Sequence, residues 1–206
     1  MTNDQIALDP GFFRRDVLVI ARELLGAILV GESDAGTVRL RVVETEAYHE
    51  RERGSHSFGG RRTERNAVMF GDGGVAYVYF IYGMYWMLNV VTGLEGEGAA
   101  VLLRGAVPIQ GEELVRQRRG WLQGRSAPRD LAKWCDGPGK VAQALAVDRR
   151  LNGVPLQVGQ PLWFERGVAV PDADVVTGPR VGIDYAGEDA LLPWRFRVKS
   201  IVKSKA

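Results

Sequence analysis

The sequence predicts an α+β fold: a single domain over residues 1–206 in which helices flank a curved, mostly antiparallel sheet. Segments of strand length outnumber helical ones, and the two do not alternate regularly as they do in a doubly wound fold. A Tyr82-Gly83 pair separates two apolar segments, as a tight hairpin turn does. The hairpin is therefore expected to protrude from the sheet.

The first elements are a helix and two strands. Apolar side chains at helical spacing predict an amphipathic helix near residues 15–26, and Gly26 is suited to end it. Residues 27–30 and 37–47 read as strands joined by a turn. The polar, glycine-containing stretch at residues 49–66 predicts a loop or short helix.

The middle of the chain continues the sheet. Apolar and polar residues alternate too weakly in segments 75–81 and 85–91 for strands with one solvent-exposed face. We therefore expect both faces of these strands to be covered, or one face to contact a ligand. Residues 99–104 form a further strand, and helices are predicted at residues 111–120 and 141–147. The later strand candidates are residues 162–165, 175–177, 180–183 and 195–199.

The amino-acid composition limits the kinds of metal, disulfide and cofactor sites that the chain can form. Cys135 is the single cysteine, which excludes an internal disulfide and a multi-cysteine metal site, and His49 and His56 are the two histidines. We expect neither a metal nor a cofactor. The glycine-containing segments 71–74 and 137–140 match neither a P-loop nor a dinucleotide fingerprint, although 137–140 is suited to phosphate through backbone amides and Lys140.

The sequence predicts a soluble, cytoplasmic protein. Arg14 and Arg15 resemble a twin-arginine signal, but Asp16 and other charges interrupt the apolar segment that would have to follow. The apolar run at residues 75–88 is too short to cross a bilayer. No membrane partner is expected.

Charge is unevenly distributed, although the formal net charge is only +2. Residues 115–133 carry six basic side chains against one acid, and residues 193–206 carry five and no acid. Such clustering indicates a basic face for a polyanion, or else a solvated helix and a loose tail. The basic residues are Arg116, Arg118, Arg119, Arg125, Arg129, Lys133, Arg195, Arg197, Lys199, Lys203 and Lys205.

Two acids and a phenol follow an apolar strand. Side chains two apart share a strand face, so Leu40, Val42, Glu44, Glu46 and Tyr48 are expected on one side. A carboxylate in a partly enclosed site can act as a general base. The alternatives are a pair of solvent-facing edge charges, or a pair of acids for glycoside hydrolysis without DNA.

The tyrosines form the second group. Tyr77 and Tyr79 share one strand face, and Tyr82 stands at the hairpin tip, where a large aromatic is costly to expose unless it inserts into a partner. Proteins that open a duplex use side-chain wedges of this kind. An aromatic core hairpin is the alternative, and it leaves Tyr82 without a partner.

Ten segments in sequence order, spanning roughly residues 10–200, resemble the alkyladenine (3-methyladenine) DNA glycosylase family of the mammalian and bacterial type without a helix-hairpin-helix. Each segment alone is weak, and their order makes the resemblance specific. They are residues 21–26, 43–48, 55–57, 61–66, 69–70, 77–89, 98–104, 137–140, 143–147 and 179–182.

The resemblance implies a monofunctional hydrolase of base excision repair. Such enzymes flip damaged purines out of duplex DNA and leave an abasic site. The implied lesions are 3-methyladenine, 7-methylguanine, hypoxanthine and ethenoadenine. Glu46 would activate the attacking water and Arg104 would steady the site. A water nucleophile also fits the absence of lysine from segments 41–48 and 77–89.

The resemblance also implies which residues contact the substrate. Tyr48, His56 and Tyr79 would wall the flipped base, and Asn89 would obstruct the amine of guanine. The implied DNA contacts are Tyr82, Met84, Tyr85, Gly139 and Lys140. Tyr82 would fill the gap in the duplex, while Tyr77 and Tyr85 also suit packing. The expected partner is double-stranded DNA and the expected state a monomer. A lesion binder without turnover is the remaining alternative.

Overall fold

The computed structural model describes residues 7–121 and 126–199, so the predicted basic residues Arg125, Lys203 and Lys205 lie outside the described part. Three α-helices occur in that part, α1 (Val17–Glu23), α2 (Glu112–Arg118) and α3 (Pro138–Ala144), together with short 3-10 turns. The eight strands of its one sheet are β1 (Ile28–Ser33), β2 (Gly36–His49), β3 (Ala76–Ile81), β4 (Tyr85–Val91), β5 (Ala99–Gln110), β6 (Leu162–Glu165), β7 (Val175–Gly178) and β8 (Arg195–Val198).

The sheet is built around the long strand β2. The strand order is β3-β4-β5-β2-β1-β6, with β8 pairing both β2 and β7, and the pairs are antiparallel. On one side β2 pairs with β5 along most of its length. On the other side β1 pairs with its first half and β8 with its second half. The predicted α+β class and antiparallel sheet are confirmed.

An irregularity in β2 reverses its two faces. Val42 and Ala47 both belong to the core, although they are an odd number of positions apart. Regular alternation does not allow this, and the register with β5 shifts between Val42, Glu44 and Thr45. The prediction that Leu40 and Val42 share a face with Glu44, Glu46 and Tyr48 is therefore wrong. The acids leave the core face where β1 ends and β8 begins to pair.

The main core lies between the sheet and the helices. Val17, Ile20 and Ala21 of α1 are buried in it, and the carboxylate of Asp16 caps the helix by accepting from the backbone of Leu18. The hydroxyl of Thr45 donates to the carbonyl of Ala21 at 2.7 Å, which fixes α1 over the second half of β2. The face of Glu46 points away from this helix.

The hairpin of β3 and β4 ends in a tight turn. Met84 N donates to the carbonyl of Ile81 at 3.2 Å, and both central residues have positive φ, 54° at Tyr82 and 67° at Gly83. These are the features of a type I′ turn, which suits the twist of antiparallel strands. Glycine adopts this conformation freely, whereas tyrosine does so at a cost. The predicted turn is confirmed, and it holds Tyr82 at the tip.

Two predicted elements differ from the structure. Residues 180–183 are not a strand; their backbone is irregular, because Val181 donates its N–H to a side chain instead of a sheet ladder. The helix predicted at residues 141–147 begins at Pro138, whose fixed φ suits a first helical position. It ends at Ala144, and Ala146 has a positive φ of 55°.

No helix within residues 7–121 and 126–199 is long and apolar enough to span a membrane.

Candidate active site

A cavity of about 580 Å³ opens on the sheet face opposite α1. Its floor is formed by β3, β4 and β5, and its rim by the loop around Gly54 and the segment from Val181 to Tyr185. Six aromatic side chains line it, which makes it suited to a flat ring. They are Tyr48, His56, Tyr77, Tyr79, Tyr82 and Tyr185.

Glu46 is a fully buried acid beside this cavity. The hydroxyl of Tyr48 donates to its Oε2 at 2.9 Å, and the backbone N–H of Val181 donates to its Oε1 at 2.9 Å. Arg104 Nε lies 3.5 Å from Oε1. Burial raises the pKa of Glu46 above its usual value, and the positive charge of Arg104 opposes that rise. Both oxygens are thus fixed in a site where the carboxylate is more basic than in water.

Glu44 is occupied in a different way. Its Oε1 accepts from Arg104 Nε at 3.0 Å and from Arg195 Nε at 2.6 Å. Two guanidinium groups on one oxygen make this acid a structural counter-charge that holds Arg104 near Glu46. The geometry does not favour an acid pair for glycoside hydrolysis, since Glu44 is already engaged.

The wall of the cavity is a hydrogen-bonded aromatic group. His56 Nδ1 and the Tyr77 hydroxyl are 2.9 Å apart, and the His56 and Tyr79 ring centroids are 4.7 Å apart. Burial lowers the pKa of His56 to about 4, and the nearby charge of Arg65 adds to the effect. Burial likewise raises the pKa of Tyr79 to about 12. Both rings are therefore uncharged near pH 7.

Asn89 lies at the floor of the cavity. It is buried, and its Nδ2 donates to the backbone carbonyl of Tyr77 at 3.0 Å. This bond between β3 and β4 fixes the side chain in one orientation. A rigid polar group at the floor can discriminate among rings by what it excludes.

The hairpin tip stands at the mouth of the cavity. Tyr82 is 73% exposed, Met84 64% and Tyr85 46%, which is unusual for such large apolar side chains. Of the three, Tyr82 also lines the cavity. Tyr85 lies against Gly139, where a Cβ atom would be only 3.0 Å from the Tyr85 ring. The start of α3 is therefore packed on the hairpin.

Lys140 follows on α3 but does not line the cavity. Its ammonium group pairs with the carboxylate of Asp136. The structure thus brings together Glu46, Arg104, Tyr48, His56, Tyr79 and Asn89 as predicted neighbours, with the tip residues at the mouth. Gly139 lies against Tyr85, and Pro138 before it lines the cavity.

Several residues at the site have no role in the sequence-based prediction. Tyr185 lines the mouth, is 71% exposed and donates its hydroxyl to the carbonyl of Gly54 at 3.2 Å. Arg65 lies over the Tyr79 ring at 5.3 Å. Val181 holds Glu46, and Arg180 and Glu52 form a buried pair beside Tyr48. Segments 61–66 and 179–182 belong to the resemblance, but distant pairings such as these leave no local signal.

Within the described residues, no three or more His, Cys, Asp and Glu side chains are grouped so that they could hold a metal ion. No lysine lines the cavity. The groups available there are a buried carboxylate, guanidinium groups, aromatic rings and an amide.

Comparison with known proteins gives consistent matches. Residues 11–201 match the family model described as methylpurine-DNA glycosylase (MPG). A Methanocella arvoryzae protein provisionally named 3-methyladenine DNA glycosylase is 47% identical over 190 residues, which are 92% of this chain and 90% of that protein. The human DNA-3-methyladenine glycosylase is 42% identical over 193 residues, 91% of this chain and 64% of the human protein.

Proposed function

Because the chain belongs to the methylpurine-DNA glycosylase family, we propose that its aromatic cavity receives a damaged purine and that Glu46 drives hydrolysis of the N-glycosidic bond. Family membership makes the chain a DNA-3-methyladenine glycosylase, an N-glycosylase of base excision repair that acts on alkylated purines. The resemblance inferred from the ten sequence segments is thereby confirmed. The protein acts where the DNA is.

The proposed reaction uses water as the nucleophile. Glu46 accepts a proton from a water molecule as the water oxygen attacks C1′ of the flipped nucleotide. The bond from C1′ to the purine nitrogen breaks, its electron pair leaves with the base, and an abasic sugar remains. Burial raises the pKa of Glu46, which makes its carboxylate a stronger proton acceptor than an exposed one. Arg104 also stabilises the ionised form.

The observation that carries this proposal is the setting of Glu46. It is a fully buried acid whose two oxygens are fixed by Tyr48 and Val181 at the wall of an aromatic cavity. Burying a carboxylate has a large desolvation cost, and a buried acid with a raised pKa beside a cleft is a candidate functional group. No lysine lines the cavity, so a water nucleophile and an intact strand are the proposed outcome.

Base selection follows from charge and shape. Purines alkylated at N3 or N7 are electron-poor, and 3-methyladenine and 7-methylguanine carry positive charge in DNA. Stacking on the uncharged rings of Tyr48, Tyr79 and His56 favours such electron-poor bases. Asn89 on the floor would obstruct the exocyclic amine of guanine, so 7-methylguanine, which keeps that amine, should be released more slowly than 3-methyladenine. The proposed range also includes hypoxanthine and ethenoadenine.

The hairpin is the proposed DNA-opening element. Tyr82 would enter the duplex and fill the space of the flipped nucleotide, with Met84 and Tyr85 against the neighbouring bases. Gly139 and Lys140, at the start of α3 next to Tyr85, would contact phosphate. The proposed partner is double-stranded DNA bound by a monomer.

The test is base excision. Duplexes with one 3-methyladenine, 7-methylguanine, hypoxanthine or ethenoadenine are incubated with protein and cleaved with alkali at abasic sites. Wild type is expected to release at least one lesion. Glu46→Gln should lower the single-turnover rate by a factor on the order of 10³ while DNA affinity is kept, because only the proton acceptor is lost.

The matched control is Glu44→Gln, two positions before Glu46 on β2. This change should lower the rate far less, because Glu44 acts on Arg104 and not on water. Equal losses in the two variants would contradict the assignment of the base to Glu46. Lesion binding without release by wild type would favour a lesion binder without turnover.

A further inference from the structure

Arg180 forms a fully buried ion pair with Glu52 beside the active site. Nη1 lies 2.6 Å from Oε1 and Nη2 lies 2.6 Å from Oε2, with the two side chains 0% and 2% exposed. The pairing is bidentate, and it joins segments 128 positions apart in the sequence. Buried ion pairs are costly to desolvate and often contribute little net stability. A bidentate pair does, however, fix the relative positions of the groups that it joins.

The other contacts of Arg180 are with the wall of the cavity. Nη1 donates to the carbonyl of Ala47 at 2.9 Å, between Glu46 and Tyr48 on β2. The guanidinium carbon lies 4.8 Å from the ring centroid of Tyr48 and 5.1 Å from that of Trp194. A planar cation at these distances restricts the Tyr48 ring.

The next residue along the chain reaches the acid itself. Val181 N donates to Glu46 Oε1, and the Tyr48 hydroxyl donates to Oε2. Both donors to Glu46 are therefore in direct contact with, or bonded to, Arg180. The guanidinium of Arg180 is paired with Glu52 through two contacts, so its link to Glu46 runs through the two donors. Arg180 thus acts on Glu46 through geometry.

We propose that Arg180, fixed by Glu52, is a positioning residue for the glycosylase reaction: it holds the Val181 amide and the Tyr48 hydroxyl on the two oxygens of Glu46. The inference rests on the proposed function, in which Glu46 is the base. If the Arg180–Glu52 ion pair only joined two loops, it would stabilise the fold and leave the ionisation of Glu46 unchanged.

The test is Arg180→Lys. Lysine keeps the positive charge but makes neither the bidentate pair nor the planar stack on Tyr48. Looser donors favour the ionised carboxylate less, so the acid limb of the single-turnover rate should move to higher pH by roughly one unit. At a pH below both limbs the rate then falls about tenfold. Glu52→Asp, the second variant, keeps the charge of the pair but is too short to hold the guanidinium in the same place, so it should move the limb in the same direction.

Arg39→Lys is the matched control. Arg39 pairs with Glu165 between β2 and β6, with Nη2 3.0 Å from Oε1 and Nε bonded to the same carboxylate, away from the cavity. This change should lower the Tm and leave the acid limb in place. If Arg180→Lys also lowers only the Tm, the positioning role is overturned and Arg180 is structural.

A measurement on wild type covers the case in which neither variant folds. The NMR chemical shift of the Val181 amide proton should change with pH at the midpoint of the acid limb, because its acceptor titrates there. A chemical shift that does not change at this midpoint would overturn the proposal. Glu46→Gln separates the two ideas. If that variant excises as wild type does, the proposed base is wrong, whereas an inactive Glu46→Gln with an unmoved Arg180→Lys limb removes only the positioning role.

Discussion

Glu46 is an acid that folding itself makes more basic. It has no solvent exposure, and burial raises its pKa from an ordinary value of 4.5 against the lowering effects of Arg104 and two hydrogen bonds. A group whose folded pKa is raised destabilises the fold when it is ionised. The same desolvation that suits Glu46 to accept a proton therefore costs stability near pH 7.

This cost predicts a stability change in Glu46→Gln. The amide oxygen can still accept from Val181, and its NH2 can donate to Tyr48, so the contacts survive without the buried charge. At pH 7 the variant should have the higher Tm, with about 1.4 kcal/mol for each unit of raised pKa, or a few degrees. The gain should shrink as pH falls through the folded pKa of Glu46 and vanish below about 4.5.

Thermal unfolding at pH 4 to 8 measures this effect. Glu44→Gln is the control of opposite sign, because it removes the partner of Arg104 and Arg195 and should lower the Tm at pH 7. A Glu46→Gln variant less stable than wild type across that range would show that the buried charge is compensated.

At the scale of secondary-structure elements, the sequence predicted which strands and helices occur better than it predicted how their faces are arranged. The Tyr82-Gly83 turn was predictable because its signal is local. The reversal of faces in β2 was not, because counting by twos assumes regular pairing and the register shift depends on β5 and β8. Residues 180–183 resembled a strand in composition, but the Val181 N–H is bonded to the side chain of Glu46.

The hairpin turn carries a tension between stability and function. Tyr82 has a φ of 54°, which is unfavourable for a bulky residue, whereas asparagine is common at this position of a type I′ turn. Tyr82→Asn should raise the free energy of unfolding by about 1 kcal/mol. It should also slow base flipping by roughly an order of magnitude, because the wedge is lost.

Chemical denaturation and stopped-flow 2-aminopurine fluorescence measure the two effects. Met84→Ala is the control on the same tip, since Met84 is similarly exposed but has no positive φ. It should leave stability nearly unchanged and affect flipping less than Tyr82→Asn. Unchanged flipping in Tyr82→Asn would remove the wedge role.

At the scale of the whole molecule, the clustered charge has more than one use. Arg116 lies 4.8 Å over the Trp134 ring, and Arg118 and Arg119 bond to Ala144 and Gln143, so these three tie α2 to neighbouring segments. The sequence could show the cluster but not this division, because contacts within the molecule and with a polyanion need the same residue types. The basic face for DNA stays a prediction.

DNA binding should therefore weaken with salt, with a log–log slope of roughly −0.9 for each phosphate contact. Lys140→Gln should make that slope shallower by about one contact and weaken binding to damaged and undamaged duplexes alike.

Arg15→Gln is a close control, because both cations form partly exposed ion pairs. Lys140 and Asp136 are 42% and 46% exposed, and Arg15 and Glu23 are 40% and 46% exposed. Arg15 lines a different cleft, beside Gly93 and Glu97 and beyond the far end of β4 from the hairpin tip, so its loss should leave the slope unchanged. Fluorescence anisotropy from 50 to 300 mM salt measures both variants. Equal slopes for wild type and Lys140→Gln would place the phosphate contacts elsewhere on the protein.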